Sequence, residues 1–130
     1  MSTRRPTRSQ IEKIVVAALE DIKGKEIEVI NTKKLTSLFE SIVIASGDSN
    51  RQVRSLARSV IDKAREAGID ILSSEGEDAG EWVLVDLGDV VVHIMQPAIR
   101  SYYNLEELWG GKGPLRVREA TQSQATDASA

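Results

Sequence analysis

The stretch "WVLVDLGDVVVHIMQP", residues 82–97, constrains the fold more than any other. Two runs rich in β-branched residues flank Asp-Leu-Gly-Asp, and Asp and Gly favour the backbone angles that reverse a chain. The spacing predicts two strands joined by a tight turn. Asp86 and Asp89 stand at that turn, and His93, the only histidine, follows within a few residues. Such a grouping is either a catalytic carboxylate pair with a base or an acidic docking face.

Around the hairpin the apolar pattern changes period several times. Ser9 stands three residues before Glu12 in the spacing of a capping box, and Ile11, Ile14, Val15, Ala18, Leu19 and Ile22 form a helical stripe that Gly24 ends. "EIEVIN" alternates Ile27 and Val29 with Glu26 and Glu28, the period of a half-buried strand. "LFESIVIASG" reads as a more buried strand stopping at Gly47, where glycine permits a turn. Ser49 and Gln52 repeat the capping spacing ahead of a second helix. Its inner face is Val53, Leu56, Ala57, Val60, Ile61 and Ala64, and it ends at Gly68. "IDILSSEG" is a third strand, and Pro97 suits the first turn of a short final helix carrying Tyr102, Tyr103, Leu105, Leu108 and Trp109. The order α, β, β, α, β, β, β, then helix, predicts an α/β fold with a mixed five-stranded sheet packed with helices.

With 130 residues and 41% hydrophobic content, the chain suits one domain with a single core. Residues 9–111 are expected to form it, between a flexible basic N-terminus at 1–8 and a flexible or disordered tail at 112–130 that has too little apolar surface to offset its ordering. The absence of cysteine excludes disulfides, thiol catalysis and cysteine-ligated metal, and one histidine leaves little other nitrogen ligation. No cofactor or metal is expected. A cytoplasmic location is expected too, since the N-terminus lacks the apolar stretch of a secretory signal and no window has the roughly 18 apolar residues of a membrane span. Residues 9–111 hold 11 of the 17 basic and 18 of the 20 acidic side chains, a net of −7, which disfavours a broad nucleic-acid face and suits a basic protein partner.

Each feature that could carry chemistry has a plainer structural alternative. Asp86 and Asp89 are three apart across a turn, whereas a metal-dependent phosphoryl transferase needs carboxylates facing one side, commonly at alternate positions on one strand. Gly47-Asp48-Ser49 could cradle a phosphate at a helix start, but no Walker pattern accompanies it and Ser49 already serves as a cap. His93 shares a strand face with Val91 and Met95, has no nucleophile motif beside it, and reads as a structural histidine. Arg51, Arg54, Arg58 and Arg65 form either a solvated helix surface or a contact to RNA or another polyanion. Between Glu75 and Asp89 the chain carries Glu75, Glu77, Asp78, Glu81, Asp86 and Asp89 with Trp82 among them and no Lys or Arg. That is either a solvated acidic loop or an interface for a basic partner, in which the ring supplies buried area and the carboxylates supply steering.

The segments "ALEDIKGKEIEVIN", "FESIVIASGDSNRQVRSLA" and "GEWVLVDLGDVVVHIMQPAIRSYYNLEELW", in that order, resemble the ribosomal silencing factor family, also called Iojap, over about residues 11–109. The resemblance implies a nucleotidyltransferase-like fold without that superfamily's catalytic carboxylates, hence no enzyme. It implies binding to the large ribosomal subunit through its fourteenth L protein, blocked joining of the small subunit, and repressed translation when nutrients are scarce. Self-association as a homodimer in the free state is implied as well. On the same ground the partner-binding residues are expected among Glu81, Trp82, Asp86, Asp89, Tyr102 and Tyr103.

Overall fold

A computed structural model describes residues 6–105. Its elements are α1 (Arg8–Asp21), β1 (Lys25–Asn31), β2 (Ser41–Ser46), α2 (Asn50–Glu66), β3 (Ser73–Glu75), β4 (Trp82–Asp86), β5 (Val90–Met95) and α3 (Pro97–Tyr103). Five strands form one sheet in the order β1-β2-β5-β4-β3. β2 and β5 run parallel at its centre and the remaining pairs are antiparallel, so the sheet is mixed as expected. Within the expected 9–111 domain, residues 106–111, with the expected helical residues Leu108 and Trp109, fall outside the described residues, as do residues 1–5 and 112–130, whereas Thr7 and Arg8 of the expected 1–8 terminus cap and begin α1.

One sheet face lies under α1 and α2. Val15, Ala18 and Leu19 of α1 and Val53, Leu56, Ala57, Val60 and Ala64 of α2 pack with Val43, Ala45, Val83, Val85, Val92 and Ile94 of the sheet. Alternation along β4 and β5 delivers those residues to one side and sends Trp82, Leu84, Val91, His93 and Met95 to the other. There Ile42, Ile44, Met95 and Leu105 form a smaller cluster, edged by Ile30, Phe39, Trp82 and Ile99. The predicted helical stripes and hairpin are therefore present, with Asp86↔Val91 and Trp82↔Met95 in register.

Several local expectations are corrected. Helix α1 is capped by Thr7, whose side chain and backbone complete a reciprocal box with Gln10, in place of Ser9 with Glu12. Both pairs have the same spacing, and the earlier one wins because Thr7 also accepts the Ile11 amide on its carbonyl, starting the helix before Ser9. The helix then closes at Ile22, with Lys23 rather than Gly24 taking the left-handed backbone (φ 61°).

β1 does not keep its alternation. A bulge between Lys25 and Glu28, with Glu26 at φ 49°, offsets the strand, leaving Val29 exposed on an edge the helices do not cover. Gly47 is needed for closeness rather than for a special backbone angle, because a Cβ there would meet Val53 and Leu56 at 3.0–3.1 Å. At α2, Ser49 caps Gln52 as expected, but the Gln52 side chain accepts from Asp48 and donates to Ile22 and Lys23, so the box is not reciprocal. The third strand shrinks to three residues, since Ile69 and Ile71 turn toward the helix-side core instead of extending the edge.

Candidate docking site

The β4–β5 hairpin turns through Gly88-Asp89. Gly88 has φ 94° while Asp89 has no left-handed backbone, the pattern of a type II′ turn, and the Leu87 amide donates to the Val90 carbonyl at 2.9 Å. One Asp86 carboxylate oxygen accepts the Gly88 amide at 2.8 Å, so Asp86 stabilises the turn from within. Asp89 is exposed, and its carbonyl accepts the amides of Glu40 and Ser41, tying the turn to the start of β2. Among the described residues, no group of three or more acidic or histidine side chains is gathered that would hold a metal ion. The Gly47-Asp48-Ser49 turn is similarly occupied: Asp48 pairs with Lys25, its amide donates to Gln52, and Ser49 caps the helix.

His93 belongs to the hairpin's other end. The Trp82 indole Nε1–H donates to His93 Nδ1 at 3.0 Å. An indole nitrogen can only donate, so Nδ1 must be the unprotonated nitrogen and the imidazole proton sits on Nε2. Burial disfavours the charged ring and lowers the His93 pKa to about 4. A neutral imidazole thus anchors the indole, and a protonated one, donating at both nitrogens, could not.

Trp82 is half-buried. Its ring lies 4.9 Å from that of Tyr103, which in turn makes an edge-to-face contact with Tyr102 at 4.9 Å. Tyr103 is 39% and Tyr102 72% exposed, making a graded aromatic surface whose inner member is fixed and whose outer member is free in solvent. Glu81 is exposed next to Trp82, and its carbonyl accepts the Gln96 amide that starts α3. The geometry therefore brings Trp82, Tyr102 and Tyr103 together, while Glu81 is tied through its carbonyl to the start of α3. Asp86 shares the Trp82 face of β4 but lies four residues along the strand, roughly 13 Å away, and Asp89 is beyond it. Glu75, paired with Leu84 in register, joins the same face. None of Glu75, Glu77, Asp78, Glu81, Asp86 and Asp89 forms an ion pair with another described residue.

Three positions that hold this face in place escaped the sequence reading. Arg100 of α3 is buried, donates to Ser46 Oγ at 2.9 Å and approaches Glu28 at 3.8 Å, pinning α3 across β1 and β2. Its one signal was isolation, as the sole base between Arg65 and Lys112. Gln96 donates from its side chain to the Gly80 carbonyl and to Asn50, joining α3 to the loop before β4. Gly76 has φ 90°, and a Cβ there would stand 2.1 Å from the Trp82 carbonyl, so only glycine lets the loop deliver Trp82 to the sheet.

The described residues thus form a small mixed-sheet α/β domain with buried polar anchors beneath an aromatic and acidic surface. A family model described as "Ribosomal silencing factor during starvation" matches residues 5–130. A ribosomal silencing factor of Chromobacterium violaceum is 61% identical over 105 residues, covering 81% of this chain and 86% of that protein. One from Bacillus subtilis is 43% identical over 79% of the chain and 87% of its own length. The chloroplastic Iojap protein of Zea mays is 32% identical over 82% of the chain and 46% of its length. A crystal structure of a Chromobacterium violaceum protein superposes with a TM-score of 0.80 at 59% identity, covering 83% of this chain and 90% of that one. The chain belongs to the ribosomal silencing factor family, whose names denote a regulator rather than an enzyme. Among the described residues, no helix is long and apolar enough to cross a membrane.

Proposed function

We propose that this protein represses translation sterically in the cytoplasm, by binding the large ribosomal subunit through its fourteenth L protein and occupying the space where the small subunit docks. Family membership supports a ribosomal role, and one observation supports the docking face: an exposed aromatic cluster anchored by His93, beside acids that no described basic side chain neutralises. Trp82 and Tyr103 supply desolvated contact area, Tyr102 and Glu81 surround them, and Asp86 and Asp89 extend an acidic field toward a basic surface. Occupancy alone suffices for repression, without turnover. The free protein self-associates as a homodimer in this reading.

Sedimentation of purified large subunits with the protein should show co-migration, and adding small subunits should yield fewer joined ribosomes. An unchanged profile at saturating protein rejects the proposal. Direct binding to the isolated fourteenth L protein, lost in Trp82→Ala while its fold is retained, assigns the contact; retention of full affinity moves the contact elsewhere.

A further inference from the structure

The docking face leaves α2's outer surface without a role. Arg51, Arg54, Arg58 and Arg65 are all exposed there. At about 100° per residue they fall within a sector of about 60°, and at 1.5 Å per residue they extend over roughly 21 Å of helix. Arg54 donates to the Asp78 carbonyl at 3.3 Å, whereas Arg51, Arg58 and Arg65 make no ion pair with another described residue. Four guanidinium groups in a line repel one another, and although Asp21, Asp62 and Glu66 border the same groove, none of them forms an ion pair with the row among the described residues. A row of like charge without ion pairs on a chain of net charge −3 is a local feature that invites an extended anion.

The chemistry of the row narrows that anion. Guanidinium forks bind phosphate oxygens in pairs, and a straight row suits charges repeated along a line. A groove of about 640 Å³ beside it is also bordered by Asp21, Asp62 and Glu66, which disfavours a compact anion within the groove and leaves the row itself as the binding element. No aromatic side chain borders that groove, so stacking on unpaired bases is not provided. Nor does a large apolar side chain accompany the arginines outward, as entry into a lipid interface would require. α2 packs by its opposite side on the sheet face away from Trp82, so both surfaces can be occupied at once.

We infer that the arginine row of α2 binds the phosphate backbone of duplex RNA, without base specificity, as a second contact surface independent of the aromatic face. The test is fluorescence anisotropy of the full chain with a short RNA duplex across a salt series. Three to four phosphate contacts predict a log–log slope near −3 and an affinity that falls about 60-fold between 50 and 200 mM salt. The triple variant Arg51→Glu, Arg58→Glu, Arg65→Glu should bind at least about tenfold more weakly and lose most of that slope, while Lys at the same positions keeps the slope. Should the Glu variant fail to melt like the parent, the corresponding Gln variant is used for the same reading.

Absence of RNA binding at low salt overturns the inference. So does loss of binding on neutralising Arg4, Arg5, Arg116 and Arg118 with none in the helix variant, which would assign it to the chain ends. Row-dependent binding to phosphatidylserine vesicles without RNA binding overturns it in favour of a membrane surface. A naked duplex contains no ribosomal protein, so failure here is distinguishable from failure of subunit binding through Trp82.

Discussion

The two faces of the sheet are built from the same strands and obey different rules. Toward α1 and α2, Val43, Ala45, Val83, Val85, Val92 and Ile94 meet helix residues that are all aliphatic, and the polar links on this side, such as Ser59 Oγ to the Ala18 carbonyl, join helix to helix rather than helix to sheet. Toward α3, the strands offer Ser46, His93 and Trp82 among Ile42, Ile44 and Met95, with Arg100 laid across them. Apolar burial is additive and indifferent to direction, so the first face carries stability. Buried hydrogen bonds are directional and costly to leave unmade, so the second fixes where its exposed aromatic groups stand. Changes on the first face should therefore alter folding and spare binding per folded molecule. On the second they should weaken binding per folded molecule, whatever their effect on folding.

The largest expected effect is Leu56→Ala. Leu56 is fully buried and touches both Gly24 and Gly47 at their Cα sides, which closes the space available for collapse. The loss should be about 3–4 kcal/mol in urea unfolding, with subunit affinity of the folded fraction unchanged. A loss below about 1 kcal/mol would contradict the assignment of stability to that face.

Next comes His93, the one buried ionisable histidine on the second face. It takes up a proton at about 4 in the fold and at 6.5 when unfolded. The unfolded chain thus binds more protons between those values, and stability that is fully present above pH 6.5 falls as pH drops toward 4. The full loss is roughly 3 kcal/mol. His93→Gln retains an acceptor for the Trp82 indole and cannot titrate, so the variant should lack this pH dependence and the wild-type minus variant difference in stability should fall as pH drops from 6.5 toward 4. Equal pH dependence in the two proteins would remove His93 from the account.

How much of each face was legible in the sequence follows from the same division. The helix-side core was readable because aliphatic residues repeat at 3.6 or 2, and Val53 to Ala64 state their face without knowledge of what covers them. β1 was misread where Glu26 enters a left-handed bulge, a local event that no alternation records. On the other face, Trp82, Tyr102 and Tyr103 were named singly as candidates. The ring contact between Trp82 and Tyr103 and the Arg100–Ser46 bond join segments far apart in the chain, and the Trp82–His93 hydrogen bond crosses the hairpin between residues that are not direct partners. Such pairings depend on the register of strands and the placement of α3, which composition and spacing do not encode.

Trp82→Ala comes third, with a loss of subunit affinity of about 2 kcal/mol or more, near 30-fold, since it removes the anchored ring and its contact with Tyr103. Trp82→Phe separates area from the hydrogen bond: it keeps ring contact with Tyr103 but leaves His93 Nδ1 without its donor. If Phe restores binding, the indole acts through area; if Phe binds as weakly as Ala, orientation by His93 is what the partner requires. Unaltered affinity in both variants would place the contact elsewhere on the molecule.

The smallest effect distinguishes the two acids of the hairpin. Asp86 spends one oxygen on the Gly88 amide, so Asp86→Lys should both loosen the turn and reverse its charge. Asp89 makes its structural bonds through its carbonyl, which any residue supplies, and its side chain is exposed. Asp89→Lys should therefore change stability by less than about 0.5 kcal/mol, and slow association with a basic partner a few-fold at low salt, with little change in dissociation. Raising salt should erase that difference, because an exposed charge acts through a field that ions screen within about 10 Å at 0.1 M. A stability loss for Asp89→Lys equal to that for Asp86→Lys would mean that the turn needs both carboxylates. A salt-independent loss of affinity would mean that Asp89 is buried against the partner rather than steering it.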